Sequence, residues 1–125
     1  MAMVYPLAAV GVLMVSFSAV MIASPPAWSR AIVSFAGWRY FHVFEIVSRL
    51  LIGLVLALVA GDAGYPTVTY ILAAAFLFAG LFLILIGKER HRAFAAKAAT
   101  FVWLFRPAGV AWLAFGVFII HAAIR

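Results

Sequence analysis

Residues 67–87, TVTYILAAAFLFAGLFLILIG, contain no charged side chain. About 20 apolar residues in a helix cross a hydrocarbon core of about 30 Å, and in lipid each backbone N–H and C=O must find its partner within the structure itself. Three further stretches, at about 4–23, 41–60 and 107–124, have the same length and apolar character. This predicts an all-α membrane protein with four transmembrane helices. The composition agrees: 70% of residues are hydrophobic and 10% charged, against about 45–50% and about 25% in soluble domains. Residues 1–125 therefore read as one integral membrane domain with no length left for a soluble catalytic module.

The connections are short. Span 1 ends at Ser24-Pro25-Pro26, where proline cannot continue a helix but can open the next, with serine as its cap. In the following segment Trp28, Ile32 and Phe35 share one helical face and Arg30, Ser34 and Gly37 another, the pattern of a helix lying in the headgroup region. GDAGYP closes span 2, and so brief a turn makes spans 2 and 3 antiparallel neighbours. Within span 3, Ala73, Gly80 and Gly87 recur every seven residues as a small-residue stripe that lets another helix approach closely. After it comes KERHRAFAAKAATFVWLFRP. Here Phe94, Ala98, Phe101 and Phe105 form an apolar stripe amid cationic residues, which predicts a second short amphipathic interfacial helix. Pro107 suits the first position of span 4. The first span has no Lys or Arg ahead of it and has Met21 where a cleavage site needs a small residue, so it reads as a retained helix rather than a secretory signal.

A degenerate repeat runs through the chain. Tyr-Pro opens both halves (Tyr5-Pro6 and Tyr65-Pro66), and each half continues with a span, a basic segment containing SRA or HRA, and another span. The units are 1–62 and 63–125. Each holds a helical hairpin, so both insert the same way round and the repeat is parallel. Arg30, Arg39, Lys88, Arg90, Arg92, Lys97 and Arg106 all fall in the segments after spans 1 and 3, whereas the other side has Arg125 and the acidic Asp62. In a bacterial inner membrane this asymmetry places the basic segments in the cytoplasm, against anionic headgroups, and both termini in the periplasm. It also accounts for the net charge of +6 without nucleic acid as a partner.

One part of a span is polar. His42, Glu45 and Arg49 are spaced by three and four residues and so line one side of span 2, with Glu preceding Arg in the favourable order for a helical ion pair. From Leu50 to Ala60 there are only 11 residues, about 16 Å of helix, so the segment around Glu45 and Arg49 must help to complete the crossing. Two readings fit. In one the stripe is a structural ion pair in the cytoplasmic third of the span, where Arg49 snorkels toward the headgroups. In the other it is a polar site inside the bundle for a proton, an anion, or a lipid or quinone headgroup.

Other chemistries find little support. There is no cysteine, and no histidine or carboxylate pair stands at a tight metal-ligand spacing, so neither a metal nor a cofactor is expected. His42 begins span 2 and His121 ends span 4, which puts them near opposite faces, unable to share a haem. His91, inside KERHR, reads as part of a solvated or headgroup-facing run. No serine has a base and orienting acid in recognisable arrangement, and the protein is not expected to be an enzyme.

Three functional classes remain. The first is an accessory or scaffold subunit, or a lipid-interacting one, that packs as a homo-oligomer or within a larger membrane complex. The second is a small oligomeric transporter or channel with its polar site at Glu45 and Arg49. In size and span number the chain is similar to the small multidrug resistance exporters, which implies proton-coupled exchange at an unpaired glutamate of the first span. Span 1 here has no charge, and Glu45 lies in span 2 beside a neutralising Arg. The third and least supported is a lipid- or quinone-modifying enzyme using His42 or Glu45 as acid or base.

Overall fold

The computed structural model describes residues 4–124, all helical apart from turns. The elements are α1 (Val4–Ala23), α2 (Pro25–Ala36), α3 (Phe41–Val59), a 3-10 turn (Ala60–Asp62), α4 (Pro66–Ala98), a second 3-10 turn (Val102–Leu104) and α5 (Phe105–Ile124). Helices α1, α3, α4 and α5 are each long and apolar enough to span a bilayer. Their lengths and composition, together with the apolar exterior described below, make the chain an integral membrane protein.

Local sequence sets the helix ends. Ser24 caps α2 by accepting a hydrogen bond from the Ala27 N–H at 3.3 Å, and the two prolines at the start of α2 occupy positions whose N–H groups have no helical partner anyway. Between α2 and α3, the Gly37 N–H donates to Val33 O and the Phe41 N–H to Trp38 O, so the chain turns within four residues. Helix α4 is really two. Gly87 has φ 84° and ψ 167°, a conformation that side chains with a Cβ adopt only at a steric penalty. It divides a spanning part, 66–86, from a short helix, 88–98.

The helices pack as two antiparallel pairs, α1 with α5 and α3 with α4. Glycines sit at the crossings. A Cβ placed on Gly116 would lie 3.0 Å from Gly11 O, and one on Gly53 would lie 3.0 Å from Ala73 O. With no aqueous driving force between helices in lipid, such close backbone approach supplies the van der Waals contact that holds them. All four spanning helices meet in a core of Leu7, Val10, Met14, Leu56, Val59, Ala73, Ile119, Ala122 and Ala123, at the end that carries the described termini. There the Gly64 N–H also donates to Ala122 O at 2.9 Å. At the opposite end a smaller cluster of Ala36, Phe41 and Ala95, with Ile32 and Phe35 against it, joins α2, α3 and 88–98. Between these clusters Phe17, Val47, Leu51, Leu54, Phe78, Leu81, Leu85 and Phe115 point outward, a surface suited to acyl chains rather than water.

The four spanning helices and the pairing of spans 2 and 3 agree with the sequence reading. Trp28, Ile32 and Phe35 of α2 are half-buried while Arg30, Ser34 and Gly37 are exposed. Three details differ. Ala73 and Gly80 lie at the α3 contact, but Gly87 faces open space and serves as the helix break instead of extending the packing stripe. Phe94 and Phe101 are exposed, and the short helix 88–98 meets the bundle through His91 and Ala95. Span 4 starts at Phe105, two residues before Pro107, which the first helical turn tolerates because its N–H needs no partner there. Arg125, the cation counted against the basic segments, lies outside the described residues.

Candidate functional site: a polar corner at the start of α3

Helix α3 carries His42, Glu45 and Arg49 on one side, as their spacing requires. The Arg49 guanidinium pairs with the Glu45 carboxylate one turn earlier. Ser48 Oγ donates to Glu45 O at 3.0 Å. The Glu45 side chain is 19% exposed and that of Arg49 33%, so the pair is mostly withdrawn from its surroundings. An unpaired Arg near the middle of a span costs about 2.5–3.5 kcal/mol on insertion scales, and the pairing offsets part of that.

His42 faces a residue from 49 positions further on: its Nδ1 lies 2.9 Å from Nδ1 of His91. His91 is 4% exposed. The Phe41 ring stacks on it with centroids 4.4 Å apart and planes 26° from parallel, while the His42 ring meets it edge-on at 61°. Two ring nitrogens at this distance require one to carry hydrogen and the other a lone pair. Burial, reinforced by His42 and Arg49 and opposed by Glu45, holds His91 below the ordinary imidazole value, so this ring is neutral at neutral pH. His91 is therefore not part of a solvated run. It is the buried residue of KERHR, with Lys88, Glu89 and Arg90 turned outward. The clue in the sequence is the series His91, Ala95, Ala99, a stripe four residues apart that is small enough for close docking; the larger aromatic stripe beside it obscures the signal.

Three further side chains tie this end of the molecule together through backbone carbonyls. Arg92 Nη2 donates to Trp38 O at 3.1 Å and reaches Arg39 O at 3.5 Å, satisfying carbonyls where the chain turns after α2. Ser29 Oγ donates to Ala99 O at 2.6 Å. Arg106 Nε donates to Ile22 O at 3.1 Å, at the C-terminal end of α1, where a cation also complements the helix dipole. Of the cations expected at headgroups, Arg92 and Arg106 thus also hold backbone. Arg30, Arg39, Lys88, Arg90 and Lys97 are exposed, with the Arg39 guanidinium 5.0 Å from the Tyr40 ring centre. Beside Arg106, a groove of about 350 Å³ is lined by Pro25, Pro26, Val102, Trp103 and Arg106.

The other end of the bundle holds a separate contact, Tyr65 Oη to His121 Nε2 at 3.2 Å, so His42 and His121 do lie at opposite ends. Among the described residues no set of three His, Asp or Glu side chains is placed to bind a metal. No protein family, no curated protein and no solved structure matches this chain.

Proposed function

We propose that the protein is a small accessory or scaffold subunit of a bacterial inner-membrane assembly, which packs against a second copy or a larger partner and holds anionic lipid at its cytoplasmic face. The observation that carries this reading is how the polar groups in the spans are used. Ser16 donates to Val12 O, Ser18 to Met14 O, Ser48 to Glu45 O and Thr69 to Tyr65 O, and Glu45 pairs with Arg49. A transport pathway keeps polar groups available to a solute; here they are spent on the fold. The lipid contact would fall on the exposed cations and on the groove beside Arg106. There the Nε bond to Ile22 O steadies a guanidinium next to an apolar Trp103, a combination suited to a phosphate with an attached chain.

We further propose that the chain consists of two tandem hairpins in parallel orientation, each with an interfacial amphipathic helix. The glycine crossings support it. Gly11 faces Gly116 as Ala73 faces Gly53, and Ser18 faces Gly109 as Gly80 faces Ile46. Residues of α1 map to α4 by a step of 62, residues of α3 to α5 by a step of 63, and SRA maps to HRA by the same 62. The pairs α1/α5 and α4/α3 are then equivalent, as an axis along the membrane normal requires. Both termini would be periplasmic, and no nucleic acid is involved. The alternative, a small oligomeric transporter or channel, draws on Arg49, whose side chain keeps a third of its surface open.

Native mass spectrometry of the protein released from anionic-lipid nanodiscs tests the assignment. Retained anionic lipid, a homo-oligomer or a bound protein subunit is the expected result. A bare monomer would count against scaffold and transporter alike.

A further inference from the structure

Helix 88–98 is attached to its span through Gly87, whose φ of 84° breaks helical continuity, so its position depends on what it touches. It is held by the His42–His91 bond, by Arg92 on the carbonyls of Trp38 and Arg39, and by apolar contact of Ala95 with Ala36 and Phe41; just beyond its end, Ser29 bonds to Ala99 O. Among these only the histidine pair changes its proton content near neutral pH. Under the repeat proposed above, the matching positions of the other half hold Ser29 and Phe105, so neither helix formation nor packing at these places demands imidazole.

We infer that His42 and His91 form one proton-binding site whose occupancy decides whether the basic helix 88–98 stays docked on the α2–α3 corner. In the neutral pair one Nδ1–H donates to the Nδ1 lone pair of the other ring. A first added proton enters the free Nε2 of the donor ring and leaves the bond intact, now charge-assisted. A second can go only to the accepting Nδ1, setting N–H against N–H and ending the bond. The count is the same for either tautomer; the His42 ring is the more accessible of the two, and His91 is buried under Phe41. The charged groups near the pair are Glu45 and Arg49 from α3 and Arg92, next to His91 on helix 88–98; α2 packs its Ile32, Phe35 and Ala36 against the adjoining Phe41 and Ala95 and brings no charge there. The site therefore holds at most one added proton while docked and releases a cationic segment (Lys88, Arg90, Arg92, Lys97) when it takes a second.

Two measurements on the full chain in anionic-lipid nanodiscs test this. The protein has only three histidines, and His121→Gln identifies the signals of the other two in ring 15N spectra. At about pH 8, well above the ordinary imidazole value, one Nδ1 should be protonated and the other not, with a hydrogen bond detectable between them. The same Nδ1 state on both rings, with no bond between them, overturns the inference without any change at the pair. For the docking itself, spin labels at Val33→Cys and Phe94→Cys, both exposed positions in a cysteine-free chain, report the distance from α2 to 88–98. One distance should persist through the first protonation, and a longer population should enter with the second. In His42→Gln, which can still bond to His91 but cannot take the charge, that population should vanish or move to lower pH. A single distance at all pH values, or an unchanged response in His42→Gln, contradicts the site.

Discussion

Replacing Gly11 by alanine tests the pairing of α1 with α5 at its tightest point. The new Cβ would stand 2.7 Å from Ile120 Cγ1, 2.9 Å from Gly116 O and 3.1 Å from Ile120 N. The isoleucine could rotate away, but the Gly116 carbonyl and the Ile120 amide are backbone and cannot. Since an ordinary carbon-to-oxygen contact is about 3.3–3.6 Å, the helices must separate by about 0.4 Å or more along this stretch. Overpacking of this kind costs about 1–3 kcal/mol, and alanine returns up to about 1 kcal/mol through its higher helix propensity. The net expectation is a loss of about 1–2 kcal/mol, near a tenfold fall in the folding equilibrium constant. Reversible unfolding in mixed micelles, titrated with sodium dodecyl sulfate, would measure it. Gly61→Ala is the internal control, because its Cβ would meet only Tyr70 Oη, at 3.8 Å, and should change stability by less than about 0.5 kcal/mol. If Gly11→Ala is as stable as the control, α1 and α5 do not cross at this glycine and the proposed packing is wrong.

Three further outcomes follow from the polar contacts. Arg92→Leu should destabilise by about 1.5 kcal/mol through loss of a charged donor to Trp38 O, whereas exposed Lys97→Leu should change stability by no more than about 0.5 kcal/mol; the same unfolding assay reads both. Because the folded-state value of His91 is depressed, its contribution is fully present above the unfolded imidazole value of about 6.5 and is lost as pH falls below it. Stability should thus be flat on the alkaline side and decline under acid, and His91→Phe should reduce that decline. For topology, single cysteines at Thr100 and Asp62 should react with impermeant maleimide from opposite sides of the membrane, Asp62 from the periplasm.

The spans were legible in the sequence because lipid imposes one rule, a long apolar run with very few charges, that each helix obeys by itself. The boundaries at Ala23 and Phe41 follow from Pro25-Pro26 and from the turn before Phe41, both local effects. Partner choice was less visible. That α1 should pair with α5 rather than with α3 depends on Gly11, Gly109 and Gly116 meeting across the bundle, and a small residue in a span looks the same whether or not a helix lies against it. Gly87 shows the ambiguity: it continues the seven-residue spacing of Ala73 and Gly80, yet its role is conformational. The polar corner was half legible. His42, Glu45 and Arg49 lie on one helix, where spacing fixes their common side. His91 approaches from 49 residues away, on a segment whose direction is set by the break at Gly87, and no local pattern encodes that meeting.

The central claim, that the ionised side chains within α3 serve the fold, rests on Glu45 and Arg49. A double-mutant cycle of Glu45→Gln, Arg49→Leu and the two together, followed by unfolding in mixed micelles, addresses it most directly. Each single change should lose stability by leaving a charge or polar group unpaired, and the double change should recover it, with a coupling of about 1–3 kcal/mol. Single variants as stable as the unmodified chain that nonetheless lose retained lipid or partner would contradict the claim and assign the pair to a binding site.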